Sequence, residues 1–160
     1  RGRGHDPRGS RGAKVPPPVN ATVAVIDTNV VVSGLLTGEP TAATRRILDA
    51  MLAGRFTYLL SVVLLSEYRD VLLRPRIRKR HGLENPDVDV ILEVLAANAV
   101  IREPAVGDQE FPDPGDAHLW VLVSSDSRAV LVTGDLALVN HPASGVRVMS
   151  PAEFAEHADL

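Results

Sequence analysis

Four acidic residues stand at positions where a carboxylate can do chemistry rather than decorate a surface. Asp27 directly follows the apolar run Val23-Ala24-Val25-Ile26, and Thr28 and Asn29 prolong the polar stretch before Val30. Asp135 follows a second β-branched run, Ala129 to Val132, through Thr133 and Gly134. Glu67 interrupts the apolar stretch Val62-Val63-Leu64-Leu65, and Asp116 falls in the first turn after Pro114. In an open parallel sheet ligands bind beyond the carboxyl ends of the strands, which makes the first polar residue past each strand the one to read first. Carboxylates brought together there repel one another and raise each other's pKa unless a cation sits among them. Hard oxygen donors, with no cysteine in the chain and no paired histidines at ligand spacing, favour Mg²⁺ or Mn²⁺ over Zn²⁺. Such an ion implies phosphate chemistry, because it acidifies water, orients it for in-line attack and neutralises the charge of the transition state. Each acid also has an ordinary alternative: Asp27 and Asp135 as caps, Asp116 as complement to a helix dipole, Glu67 as a solvated side chain. Their joint placement is what favours a site.

The elements that must position these residues alternate in type. Strands are expected at Thr22 to Ile26, Phe56 to Leu60, Ala99 to Arg102, Ala129 to Val132 and Arg147 to Met149. Between them, helices are expected from Glu39-Pro40-Thr41 to Ala53, from a Ser61 cap to Leu73, and over a basic segment opened by Pro75. Further helices are expected from Asn85 as cap with Pro86 at the first position to Asn98, from Gly115 to Ser125, and after the capping pattern Ser150-Pro151-Glu153. Strands alternating with helices predict an α/β fold, a three-layer α/β/α sandwich on a mainly parallel central sheet of about five strands.

Residues 1–18 read differently. Five basic side chains (Arg1, Arg3, Arg8, Arg11, Lys14) face one acid there, among four glycines and three consecutive prolines, as in a disordered basic arm. The arm carries +4 of a total of −3, which leaves −7 for residues 19–160, the expected single domain. An acidic body must draw nucleic acid through local basic patches, and the arm or the run Arg74, Arg76, Arg78, Lys79, Arg80 could supply one. A solvated tail and a solvated helix face are the plain alternatives. His118 lies two residues past Asp116, a spacing that on an α-helix turns it away from the acid, so a structural role is expected. Tyr68 and Trp120 are expected in the core.

With 45% hydrophobic and 23% charged residues in a chain of 160, the composition is that of a folded domain rather than a disordered chain or coiled coil. The absence of cysteine excludes disulfide frameworks, thiolate metal sites and cysteine nucleophiles, and suits a reducing cytoplasm. The longest apolar runs, Tyr58 to Leu65 and Val94 to Ile101, fall short of a membrane span. The first residues lead into Pro16-Pro17-Pro18 rather than an apolar segment, so no secretory signal is expected. The chain opens at Arg1 rather than methionine, as a processed or partial chain would.

Taken in order, Asp27-Thr28-Asn29 after the first strand, Leu65-Ser66-Glu67-Tyr68, Pro112-Asp113-Pro114-Gly115-Asp116-Ala117-His118 and Val132-Thr133-Gly134-Asp135 resemble the PIN-domain family. The resemblance covers residues 22–157. Arg74-Pro75 and Ser150-Pro151-Ala152-Glu153-Phe154 are similar to the branch described as toxins of bacterial toxin-antitoxin pairs. This resemblance implies an endoribonuclease, usually dimeric, whose acidic quartet of Asp27, Glu67, Asp116 and Asp135 binds one or two Mg²⁺ or Mn²⁺ ions. It implies accessory roles for Asp113, and for Thr28 and Asn29 in orienting the first aspartate or the attacking water. An RNA substrate and a cognate antitoxin are the implied partners. Leu136-Ala137-Leu138-Val139 departs from the family's more polar continuation.

Two other classes compete with this reading. A haloacid-dehalogenase-like phosphatase or a receiver domain also has an aspartate after its first strand, but each needs a lysine near the phosphoryl group. The only lysines here are Lys14 and Lys79, neither just past a strand, and Asp27-Thr28-Asn29 lacks the second aspartate of the phosphatase pattern. A non-catalytic, metal-stabilised module that binds RNA or protein is the other alternative, against which the intact quartet argues. No Gly-x-Ser-x-Gly elbow supports a serine hydrolase.

Overall fold

The computed structural model describes residues 21–105, 107, 111 and 113–160. The arm expected at residues 1–18, and Pro112 of the acidic motif, lie outside the described residues.

Among the described residues, five strands, β1 (Val23–Ile26), β2 (Leu59–Leu60), β3 (Val100–Ile101), β4 (Ala129–Val132) and β5 (Arg147–Met149), run parallel. β4 lies between β1 and β5, with Val23 opposite Ala129 and Ile26 opposite Val132. β2 pairs with β3, and a parallel bridge from Ala24 to Tyr58 joins this pair to β1. The resulting order is 3-2-1-4-5. Every residue of β1 and β4 is buried, as a sheet covered on both faces requires. The fold is the expected three-layer α/β/α sandwich.

Among the described residues, eight helices make the outer layers: α1 (Thr28–Leu36), α2 (Ala43–Leu52), α3 (Val62–Leu72), α4 (Pro75–His81), α5 (Asn85–Asn98), α6 (Ala117–Ser124), α7 (Leu136–Asn140) and α8 (Pro151–His157). α1 and α2 pack tightly because Gly34 has no side chain. A Cβ at that position would stand 2.6 Å from the Thr44 carbonyl oxygen. Ile26, Ile47, Met51, Tyr58, Tyr68 and Phe154 fill the core, and Trp120 is buried with them. The two core tyrosines satisfy their hydroxyls on backbone carbonyls, Tyr58 donating to Leu95 at 2.6 Å and Tyr68 to Ile26.

Several boundaries correct the expectations. The helix expected from Glu39 starts at Ala43, since residues 40–42 form a turn. β2 is two residues rather than five. Glu84, not Asn85, caps α5, in a capping box with Asp87. The helix expected from Gly115 begins as a 3₁₀ turn, Pro114–Asp116, and turns α-helical at Ala117. α1 has no counterpart among the expected helices.

Candidate functional site

The chain leaves β1 in one direction, toward β2 and β3, and returns to the opposite side of β1 as β4. A crevice opens where two such directions part, beyond the ends of β1 and β4. Asp27 and Thr133-Gly134-Asp135 lie there.

Asp27 caps α1, its Oδ1 accepting from the Thr28 backbone N–H at 2.8 Å. Its Oδ2 accepts from the Thr133 hydroxyl at 2.8 Å and from the Asn29 side-chain amide at 3.1 Å. Only 7% exposed, this carboxylate has its pKa raised. Desolvation is the largest cause; the Thr133 and Thr28 donors act against it, and the charges of Glu67 and Asp116 add to it. The fully buried Thr133 also accepts from the Asp135 backbone N–H at 3.1 Å, so one hydroxyl joins the ends of β1 and β4. Asn29 spans the same gap: its amide carbonyl accepts from the Gly134 N–H at 3.0 Å.

The remaining acids come from other elements. Glu67, on α3, accepts a hydrogen bond from the buried Thr28 hydroxyl and faces His118 Nε2 at 3.6 Å. Asp116 ends the 3₁₀ turn, and its pKa is raised by partial burial first, then by Asp113, Asp135 and Glu67, with His118 opposing. Asp135 caps α7 through the Ala137 N–H at 2.9 Å. Asp113 caps the 3₁₀ turn through the Gly115 N–H at 2.8 Å and is exposed. Asp27, Thr28, Asn29, Glu67, Asp116 and Asp135 all line one cleft of about 730 Å³. Asp113 is not part of its lining. Of the basic run, Arg80 borders the cleft, whereas Arg78 pairs with Glu84 at 3.6 Å.

His118 corrects its expected orientation. Its ring meets Glu67 across the contact between α6 and α3, which spacing from Asp116 alone does not describe. Its Nδ1 is buried without a partner among the described residues. Thr133 and Tyr68 also escape sequence reasoning as parts of this site. The phenol of Tyr68 is held well above its ordinary pKa, by burial first and then by the charges of Asp27, Tyr58 and Glu67, so it serves as a neutral donor beneath Asp27. For Thr133 a signal exists, since it lies between a buried strand and the acid it helps to hold.

A family model of the PIN domain matches residues 23–137, from the first residue of β1 to just past Asp135. The chain belongs to the PIN-domain family. The uncharacterized protein MJ1680 of Methanocaldococcus jannaschii is a similar chain, 31% identical over 116 residues that make up 72% of each protein. PIN domains are generally nucleases that use divalent metal ions. The donors in this PIN domain fit a hard divalent ion in chemistry: carboxylates alone, two of them, Asp27 and Asp116, with pKa values raised by burial first and then by the charges of neighbouring acids. Among the described residues, no three acidic or histidine side chains close on a common point as a finished metal cage. No helix among the described residues is long and apolar enough to cross a membrane.

Proposed function

We propose that this PIN domain is an endoribonuclease dependent on Mg²⁺ or Mn²⁺, the ion being held by Asp27, Glu67, Asp116 and Asp135. The observation that carries the reading is the meeting of these four acids, from four separate segments, along one cleft at the parting of β1 and β4. When bound, the ion supplies Lewis-acid stabilisation of phosphoryl charge and a more acidic water. The chain's own residues do the positioning. Asp27 is the fixed ligand, its two oxygens oriented by Thr28, Asn29 and Thr133. Glu67 is steered by the Thr28 hydroxyl on one side and His118 on the other. Asp113 acts one step removed, by fixing the turn that carries Asp116.

Phosphate contacts fall to Arg74, Arg76, Lys79 and Arg80, with Arg78 committed in part to Glu84. Residues 19–160 form the catalytic domain, and residues 1–18 a basic arm outside it. The biological reading is a cytoplasmic toxin of a toxin-antitoxin pair, acting as a homodimer. It rests on the sequence resemblance given above. Titrating Mg²⁺ and Mn²⁺ against the full chain with a mixed RNA substrate tests the chemistry. Metal-dependent cleavage that vanishes in Asp27→Asn is the expected result, and metal-dependent association without cleavage would identify a binding module instead. Growth arrest on expression, relieved by a small protein encoded alongside and co-purifying with this one, tests the toxin role.

A further inference from the structure

His81 closes the basic run, and its side chain is placed unlike those before it. Arg76, Lys79 and Arg80 are exposed, whereas the His81 ring is half-buried and has both nitrogens engaged. Nδ1 accepts from the Leu83 backbone N–H at 2.9 Å, and a ring nitrogen that accepts from an amide carries no proton. Nε2 therefore holds the proton of a neutral ring and donates it to the Leu72 carbonyl at 2.8 Å. A ring held in this way has no N–H left for a phosphate.

The partners of the ring lie on different elements. The last carbonyls of a helix lack partners within it. At the end of α3, those of Arg69 and Val71 are taken by the Leu73 and Arg74 N–H groups, and that of Leu72 by His81. Leu83 follows Gly82, the left-handed residue that ends α4, and its half-buried side chain packs against the core. One imidazole thus ties together the end of α3, the end of α4 and the approach to α5. α4 needs such a tie: seven residues are too few for a helix to persist alone in water, none of them is buried, and Arg74 ahead of it makes no side-chain cap. Ile77 packs against the core within the helix, and the ring fastens its last turn, next to Arg80, which borders the acidic cleft. We propose that His81 is a positioning residue, which holds the last turn of α4 so that Arg80 stands at the cleft, and which makes no contact with RNA itself. The functional half of this rests on the nuclease reading above; the arrangement of the ring does not.

The test uses the full chain. In a nitrogen–proton correlation spectrum of the imidazoles in mildly alkaline buffer, with the His81 signals identified by their loss in His81→Asn, Nε2 should be protonated and Nδ1 bare. The opposite tautomer would overturn the proposal. Cleavage of a short fluorescein-labelled single-stranded RNA with Mn²⁺ gives the second reading. His81→Ala should raise KM about tenfold, as the loss of one or two such bonds does, with kcat within about twofold. His81→Asn keeps an acceptor for the Leu83 N–H, as in an Asx turn, and His81→Gln keeps a donor for the Leu72 carbonyl, so each should fall between alanine and wild type. His81→Lys adds charge but cannot accept from Leu83, and should be as impaired as the alanine variant. Wild-type KM in the lysine variant would make His81 a phosphate contact and overturn the proposal. Because the ring acts through Arg80, adding His81→Ala to Arg80→Ala should raise KM by less than about twofold more. Penalties that multiply in full, or a fall in kcat as large as the rise in KM, would reduce His81 to general stability and overturn its positioning role. If the wild type binds RNA without cutting it, the nuclease reading alone fails, and the dissociation constant of the same RNA replaces KM in every comparison. RNA that is neither cut nor bound would overturn both.

Discussion

The two walls of the cleft are built in opposite ways. At the ends of β1 and β4, Asp27 and Thr133 are buried, and every oxygen of the Asp27 carboxylate has a donor assigned to it. Across from them, α4 has seven residues, none of them buried, and its chain is stopped by Gly82 in the left-handed region at φ +68°. One wall holds atoms to fractions of an ångström, as a metal ligand must be held. The other is a short basic helix, tied to the end of α3 where the His81 ring meets the Leu72 carbonyl at 2.8 Å, whose long and mostly exposed cationic side chains can adjust to a polymer. The division assigns chemistry to the rigid wall and binding to the adaptable one, so substitutions on the two should separate kcat from KM.

The largest expected effect lies on the rigid wall. Asp27→Asn should lower cleavage by more than about a hundredfold, beyond the ~10–100-fold that loss of a supporting residue produces. Without metal its melting temperature should hold or rise, because an amide retains the cap on Thr28 and removes a charge that burial disfavours. A fall of many degrees in calorimetry would make Asp27 structural instead.

Thr133→Val comes next. It leaves the Asp135 N–H and Asp27 Oδ2 short of a partner, at a cost of about 1–3 kcal/mol, or roughly 2–4 °C of melting temperature per kcal/mol. Its activity should fall about 10–100-fold through kcat, and Thr133→Ser should restore most of it.

On the adaptable wall, Arg76→Ala/Arg80→Ala should leave kcat and melting temperature nearly unchanged while weakening RNA binding. The slope of log affinity against log salt should flatten by about 0.7 for each phosphate of a single strand that the protein no longer neutralises. An unchanged slope would mean that α4 is only a solvated face. If deleting residues 1–18 flattens it instead, the arm holds the RNA.

The smallest effect is a pH dependence. The carboxyls of Asp27 and Asp116 have folded-state pKa values above the ordinary 3.8, so they favour the folded state while protonated. That contribution is complete below the unfolded value and is lost as pH rises through the raised folded value. In metal-free buffer, Asp116→Asn should therefore match wild type near pH 3.5 and melt roughly 2 °C higher at neutral pH. Saturating Mn²⁺ should reverse the order, since only the wild type has its full complement of ligands. A gap of the same size at both pH values would place the effect in packing rather than charge.

Much of this is legible in the sequence, and the lapses have definite causes. The acids stand out because strand ends and helix starts are marked by abrupt changes from apolar to polar residues. α1 is hidden because Val30, Val31 and Val32 are β-branched and buried on successive faces, leaving no periodic stripe, while Thr28 and Asn29 resemble the start of a loop. His118 misleads because the acid it meets is Glu67 on α3, across a helix contact that its spacing from Asp116 does not contain. The Thr133 hydroxyl bond depends on a register, Ile26 opposite Val132, that pairs residues more than a hundred positions apart, and no local pattern contains it.

That separation also sets a timetable. Asp27 and the hydroxyl that holds it are 106 residues apart, and the strand that begins the described fold pairs with one near its other end. Closing so long a loop carries an entropic penalty that only the completed sheet offsets, and parallel pairings of this span form slowly. A chain emerging from the ribosome thus has Asp27 exposed early, with neither Thr133 nor Asp135 yet made. The cradle is assembled only once β4 has been synthesised and has inserted beside β1, so under the proposed function cleavage cannot begin before then, and a chain cut short of β4 should be inactive.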